Sequence, residues 1–286
     1  MASMMKFTAA ALFFVLVASS SIAQAERSKL WIASGLGGGT YRSVYAKNLV
    51  TLLRNYESFF RPSIGSANNL DLLVDGKADI AFAQADVYAA KLSTDSERYG
   101  SLLVVGKLAD ECVYIAHRKD GPVKNFEGLS LLVGDRAARI AVGAEGGGMS
   151  GTWSYLRLLD PDLATVEVSD DGDTLALNQL AVGAFDAVGW VTDPNNLKHK
   201  MLLATMANEE LAIMNLNDPE LVEAHPGGTQ VYDQRKFKLT KNWRAPEVET
   251  ICTSALMLTR KDADPDLVSK LADVLSLHRD KLVGRK

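Results

Sequence analysis

The sequence has 286 residues, with 31 basic and 35 acidic side chains and a formal net charge of −4. This balance provides no extended positive field, so we expect no nucleic-acid partner. The apolar fraction of 47% and the charged fraction of 23% are those of a globular chain that can build ordinary cores.

The N-terminus has the pattern of a secretory signal peptide. Lys6 precedes an apolar run at residues 9–18, and small residues then lead to Ala23, Gln24 and Ala25. The run is too short for a membrane-spanning helix, which needs roughly 20 apolar residues. We therefore expect cleavage after Ala25, so that residues 1–25 are removed from an exported, periplasmic protein.

The chain that follows begins with a strand, a glycine-rich turn and a helix. Residues 29–34 predict the strand, and aromatic and leucine residues recur at helical spacing from Tyr41 to Tyr56. The next predicted elements are a helix at 69–74 that stops at Asp75 and Gly76, a strand at 79–85, a helix at 86–92 and a strand at 102–108.

A second series of elements repeats this order. Its predicted strands are 139–142, 165–168 and 186–191, and its helices are 152–159 and 173–185, followed by a late strand at 249–260 and a helix at 265–282. The alternation predicts an α/β fold with two doubly wound lobes and a ligand cleft between them. We expect one lobe at 26–113 plus 249–286 and the other at 114–248, with crossovers near Cys112 and Cys252.

Ligands of open α/β sheets bind beyond the carboxyl ends of the strands, which points to the two glycine-rich turns. In the first turn the candidates are Gly38, Gly39, Thr40 and Tyr41, where backbone N–H groups at a helix start suit an anion. In the second they are Gly147, Ser150, Gly151 and Thr152. The alternatives are a plain tight turn for the first and helix capping by Ser150 or Thr152 for the second.

Further candidates follow other predicted strands or begin helices. Asn68 and Gln84 are free to face the cleft, whereas Ser66 and Asp86 also suit helix N-caps. Trp190 and Asp193 follow a strand of the second lobe, where an aromatic ring can close over a ligand, although core packing is the alternative for Trp190.

No motif in the sequence predicts catalysis, a metal or a cofactor. The four histidines have no metal-ligand spacing, and there is neither a G-x-S-x-G nor an H-E-x-x-H motif. Cys112 and Cys252 are the two cysteines, and in an exported chain they form either one disulfide or two separate buried thiols.

Several segments resemble the TAXI family of TRAP-transporter solute receptors. The matching residues are Gly37–Tyr41, Gly65–Leu73, Gly76–Val87, Phe126–Leu129 and Val142–Gly148. The chain departs from the family pattern at Arg42 and Ser43, where a second aromatic residue and a proline are usual, and at residues 190–194.

The resemblance implies a type II periplasmic-binding-protein fold that closes on a small organic anion, such as glutamate or a dicarboxylate. It implies delivery to TRAP membrane permease subunits, and we expect a monomer. Two alternatives remain open: a sensor-associated binding protein, and a thiamine-precursor-type binding protein or enzyme on the same fold. An enzyme would have titratable groups with perturbed pKa values in its cleft.

Overall fold

The computed structural model describes residues 27–223, 230–240 and 247–285, so the predicted signal peptide lies outside the described residues. The strands are β1 (Ser28–Ala33), β2 (Tyr56–Arg61), β3 (Ile80–Gln84), β4 (Leu102–Arg118), β5 (Arg139–Ala141), β6 (Glu167–Ser169), β7 (Ala187–Thr192), β8 (Leu211–Ile213), β9 (Asp233–Lys238) and β10 (Glu247–Arg260). Helix α1 has a π-helical segment (Tyr41–Ala46) and an α-helical segment (Lys47–Leu52). The other α-helices are α2 (Ser66–Val74), α3 (Ala85–Thr94), α4 (Ser96–Tyr99), α5 (Gly128–Leu131), α6 (Gly148–Leu159), α7 (Asp173–Ala181), α8 (Lys200–Ala207) and α9 (Pro265–Leu282).

The strands form one continuous sheet in the order β2-β1-β3-β10-β4-β7-β5-β6, with β8 and β9 added alongside β4 and β10. Strands β1, β2 and β3 are mutually parallel, and so are β5, β6 and β7. We call these two sets, with the adjoining parts of β4 and β10, the first half and the second half. The prediction of an α/β fold with crossover strands is confirmed.

Both faces of each half are covered by helices, as a doubly wound sheet requires. Alternate residues of β4 point to opposite cores: Val113 and Ile115 pack with helix α6, whereas Tyr114 and Ala116 pack with α7 and α8. In the first half, α1 and α9 cover one face of the sheet and α2 and α3 cover the other.

Strands β4 and β10 are the longest strands and run antiparallel through both halves. Residues Ala255–Leu258 of β10 pair with β3, whereas residues Cys112–His117 of β4 pair with β7. At the change from one half to the other, Cys112 lies opposite Cys252, and the two buried residues form a disulfide.

Some predicted elements differ from the structure. The predicted first helix continues to Tyr56, but the helix ends at Leu52 and Tyr56 begins β2, where Phe59 stacks on Trp31 of β1. The second glycine turn is shorter than predicted, because α6 starts at Gly148 rather than at 152. Strands β8 and β9 were not predicted; both are hydrogen-bonded to the long central strands, and such pairing is not a property of the local sequence.

Among the described residues, no helix is both long enough and apolar enough to cross a bilayer.

We expect the double variant Cys112→Ser, Cys252→Ser to fold with lower stability. The disulfide closes a loop with a sequence separation of 140, and removing a native disulfide typically costs about 2–5 kcal/mol. Urea unfolding of the wild type and the variant, monitored by circular dichroism, would measure the difference. Equal free energies of unfolding, with the wild-type disulfide verified by mass mapping, would contradict this expectation.

Candidate functional site

A cavity of about 590 Å³ lies where the two halves meet. Residues from the loops, helix starts and strand ends of both halves line it, together with Glu111 from within β4. They are Ser34, Gly35, Leu36, Gly38, Gly39, Thr40, Tyr41, Ile64, Gly65, Ser66, Gln84, Glu111, Gly148, Asp173, Val191, Thr192, Asn196, His199 and Lys200. The cavity is therefore at the carboxyl ends of β1, β3 and β7, where the sequence predicted a ligand.

The first glycine turn forms one wall of the cavity, as predicted for Gly38, Gly39, Thr40 and Tyr41. Gly35 has a φ of +78°, which favours glycine, and its N–H is held by Ser63 Oγ at 2.7 Å and by Asn69 Oδ1 at 3.2 Å. The turn that follows is exposed, and Leu36 is 63% accessible to solvent at the rim.

Ser66 and Gln84 form a second polar wall. Ser66 Oγ accepts a hydrogen bond from the backbone N–H of Gln84 and donates to Gln84 Oε1, both at 3.2 Å. The prediction that Ser66 caps helix α2 is wrong, because Gly65 occupies the N-cap position and Ser66 is the first helical residue. Its hydroxyl is instead used to orient the Gln84 amide.

Glu111 of β4 brings a carboxyl group into the cavity. Its side chain is 8% exposed, and Tyr41 Oη donates a hydrogen bond of 2.6 Å to Oε2. Burial raises the pKa of Glu111 to about 7, and the negative fields of Asp86 and Asp193 contribute to the rise. The Tyr41 hydrogen bond opposes the rise but does not cancel it.

The second half contributes His199, Lys200 and Asp173. Lys200 pairs with Asp173, which begins helix α7 with a φ of +62°. Asp173 is the one non-glycine residue with positive φ in the described chain, and such strain concentrates at functional sites. Burial lowers the pKa of His199, so the imidazole is neutral at pH 7, and its Nδ1 is buried without a hydrogen-bond partner.

The second glycine turn does not line the cavity as predicted, apart from Gly148, because it packs directly on the start of α2. The backbone N–H of Asn68 donates to Gly146 O at 3.3 Å, and a Cβ atom on Gly65 would lie 2.9 Å from Gly147 Cα. Asn68, Ser150 and Gly151 instead border a second cavity of about 690 Å³ between α2, α3 and α6. Neither Ser150 nor Thr152 caps α6.

Asp86 and Thr152 form a buried link between the halves. Asp86 Oδ2 accepts from Thr152 Oγ1 at 2.7 Å and from Tyr232 Oη at 2.8 Å, while Gln84 Nε2 donates to Thr152 Oγ1 at 2.9 Å. The predicted N-cap role of Asp86 is wrong, because Gln84 is the N-cap of α3. Burial raises the pKa of Asp86, and the hydrogen bonds that it accepts from Thr152, Tyr232 and the Val87 N–H oppose that rise.

Trp190 and Asp193 also lie outside the cavity lining. Trp190 is 6% exposed and stacks on Tyr114 at a centroid distance of 5.6 Å. Trp190 therefore packs in the core, which was the alternative to a ligand contact. Asp193 borders a separate cavity with Asn196 and Arg285. Of the predicted residues, the structure thus brings Gly38, Gly39, Thr40, Tyr41, Ser66 and Gln84 together.

Sequence reasoning missed Ser34, Glu111, Asp173, His199 and Lys200. The rule that ligands bind beyond the carboxyl ends of strands could have identified Ser34, which directly follows β1. The same rule could have identified His199 and Lys200, which begin the helix after β7. A different pattern could have identified Glu111, because it is a carboxylate within a run of strand residues.

A family model described as the NMT1-like family matches residues 32–276, which is most of the chain. The chain belongs to the NMT1-like family. A search of curated protein sequences found no significant match.

Solved structures similar to this NMT1-like protein have the fold of type II periplasmic binding proteins. They include the GluR0 ligand-binding core from Nostoc punctiforme in complex with L-glutamate, with TM-score 0.52 and 14% identity over 89% of this chain and 95% of the other. A putative L-cystine ABC transporter from Listeria monocytogenes has TM-score 0.51 and 14% identity over 87% and 89%. A mutant of ArgBP from T. maritima has TM-score 0.50 and 16% identity over 90% and 94%. At these identities the likeness establishes the fold alone.

We expect Gly65→Ala to destabilise this NMT1-like protein by about 1–3 kcal/mol, because the added methyl group meets the Gly147 backbone. The matched control is Gly37→Ala, where a Cβ atom has no neighbour within 4 Å; its effect should be within about 0.5 kcal/mol. Urea unfolding of both variants would measure the costs. Equal costs would contradict a close contact between Gly65 and the second glycine turn.

We expect Glu111→Gln to stabilise the ligand-free protein more at pH 8 than at pH 5. The folded pKa of about 7 exceeds the ordinary value of 4.5, so the folded state binds the proton more tightly. The tighter proton binding adds to the free energy of unfolding of the wild type. This contribution is fully present below pH 4.5 and is lost as the pH rises through 7, and it amounts to about 3 kcal/mol. Urea unfolding at both pH values would detect the change, and a pH-independent difference between variant and wild type would contradict it.

Proposed function

We propose that the protein is a periplasmic solute-binding receptor that captures a small organic anion, an amino acid such as glutamate or a dicarboxylate, in the cavity between its halves. The observation that carries the proposal is a pair of polar atoms at this cavity. Ser34 Oγ and His199 Nδ1 are buried without a hydrogen-bond partner. A buried polar group without a partner costs about 1–3 kcal/mol, which a bound ligand can recover by supplying the missing hydrogen bond.

We propose the two lobes as residues 26–113 plus 249–286 and residues 114–248. Strands β4 and β10 are the connections about which such lobes can open, and the contacts between Gly65 and Gly147 favour the closed arrangement. Ser34 and His199 come from opposite halves, so a ligand that touches both binds the closed state best. Binding then shifts the population towards closure.

Within the class of solute-binding receptors, we assign the protein to the TAXI receptors, which deliver ligands to TRAP membrane permease subunits. Supporting it are the segments Gly37–Tyr41 and Gly65–Leu73, which supply cavity residues. The predicted cleavage signal before residue 26 supports export. Calorimetry with amino acids, oxo-acids and dicarboxylates, together with native mass spectrometry of the purified protein, tests binding. No binder and no co-purified small molecule would overturn the receptor proposal.

An enzyme on the same fold is a second candidate, and one observation favours it. The cavity contains Glu111, whose pKa is raised to about 7, with Tyr41 and the neutral His199 nearby on its lining. A carboxyl group with such a pKa can accept or donate a proton at neutral pH. Incubating the protein with each ligand that it binds, followed by mass spectrometry of the ligand, separates turnover from binding.

We expect Ser34→Ala to weaken ligand binding without destabilising the fold. Ser34 is 1% exposed and its hydroxyl has no protein partner to lose; a lost hydrogen bond to ligand of about 0.5–1.5 kcal/mol corresponds to a roughly 2- to 13-fold weaker affinity. Ser58→Ala is the matched control, because Ser58 Oγ on β2 is also buried without a partner but lies outside the cavity. Equal affinities for both variants in calorimetry would argue against a ligand at Ser34.

A further inference from the structure

The charges around the cavity are unusual for a site that takes two carboxylates. Among the described residues that line it, Lys200 is the one lysine or arginine, and it is paired with Asp173. His199 is neutral at pH 7, because burial lowers its pKa. The lining therefore has no unpaired cationic side chain to offset the second charge of a dicarboxylate.

Glu111 adds an acidic group that no basic residue offsets. Tyr41 Oη is its hydrogen-bond donor among the described residues, and that bond goes to Oε2. Across the strand pair, Glu111 lies opposite Thr253, whose buried Oγ1 also has no partner. Opposed residues of an antiparallel pair project from the same face of the sheet. Two polar groups with spare hydrogen-bonding capacity thus project from the same face of the central strands.

The groups that act on Glu111 electrostatically are acidic or neutral. Asp86 and Asp193 place negative fields on it, and Tyr41 and Tyr45 are the phenols that interact with it. Such surroundings disfavour a further anion and favour a positive group, because a cation beside a buried carboxylate restores the charge balance.

We propose that the ligand carries a protonated amine and that Glu111 binds this amine in the cavity. This inference rests on the proposed receptor function and selects its ligand class: amino acids or related amines rather than dicarboxylates. The ammonium group donates hydrogen bonds to Glu111, while a ligand carboxylate lies towards the first glycine turn and the Lys200 side of the cavity. Glu111 is then a specificity-determining residue, since a ligand without the amine leaves its charge unpaired.

Matched ligand triads that differ at one carbon test the proposal. L-Glutamate, 2-oxoglutarate and glutarate share a carbon chain, as do L-leucine, 4-methyl-2-oxopentanoate and 4-methylpentanoate. In whichever triad binds, we expect calorimetry at pH 8 to find the amine-bearing member at least about tenfold tighter, on the scale of one charge-assisted hydrogen bond. Glu111→Gln should remove most of that preference. Glu97→Gln, at an exposed position of α4, is the matched control and should keep it.

A second measurement needs no variant. Lowering the pH from 8 to 5 protonates Glu111, whose pKa is raised by burial, so the preference of the wild type for the amine should fall over that range. Equal or tighter binding of an oxo or deamino analogue, or a preference unchanged by Glu111→Gln or by pH, would overturn the amine proposal and leave the receptor proposal in place. Binding of no member of either triad, with no co-purified solute, would overturn both.

Discussion

The pairing of β4 with β10 is the constraint on which the rest of the structure depends. These two strands belong to both halves of the sheet, so their register fixes how the halves are placed relative to each other. Successive side chains of a strand point to opposite faces, and β4 uses this alternation to supply both cores of the second half. Glu111 lies one residue before Cys112, where the strands change from one half to the other. A carboxyl group at that position reaches the cavity from the middle of the molecule, and the disulfide next to it limits how far the two strands can separate.

Two glycine-rich turns that share a Gly-Gly-Gly segment have different roles because their tertiary partners differ. The first turn is exposed and lines the cavity, while the second contacts the start of α2 through the backbone atoms of Gly147. Both roles need glycine, one at the positive φ of Gly35 and the other for close approach. The sequence pattern identifies a place where the backbone must be unobstructed, but it does not identify what approaches. That is decided by Gly65, which is more than eighty positions away along the chain.

Local patterns were sufficient to predict most of the elements and most of the first wall of the site. The α/β alternation, the strand before Gly35, the helix stop at Gly76 and the helix over Pro265–Leu282 all depend on spacing within one segment. The remaining features depend on pairing across long distances. Strand β2 is stabilised by β1, and Ser66 orients Gln84 rather than capping its own helix. Ser66 satisfies the sequence preference for an N-cap, yet a one-residue shift of the helix start to follow Gly65 gave its hydroxyl another partner.

Asp86 and Glu111 show why burial alone does not mark a binding group. Both carboxyl groups are buried, and burial raises the pKa of both. Asp86, however, accepts hydrogen bonds from Thr152, Tyr232 and the Val87 backbone, so the surrounding protein satisfies it and its hydrogen bonds help to hold the halves together. Glu111 has Tyr41 on one oxygen and borders a cavity, and no basic side chain is among the groups that shift its pKa. A fold gains nothing from a carboxylate in that condition, since glutamine would fill the same volume without the cost of the charge. A group that enters the cavity with a positive charge would offset that cost.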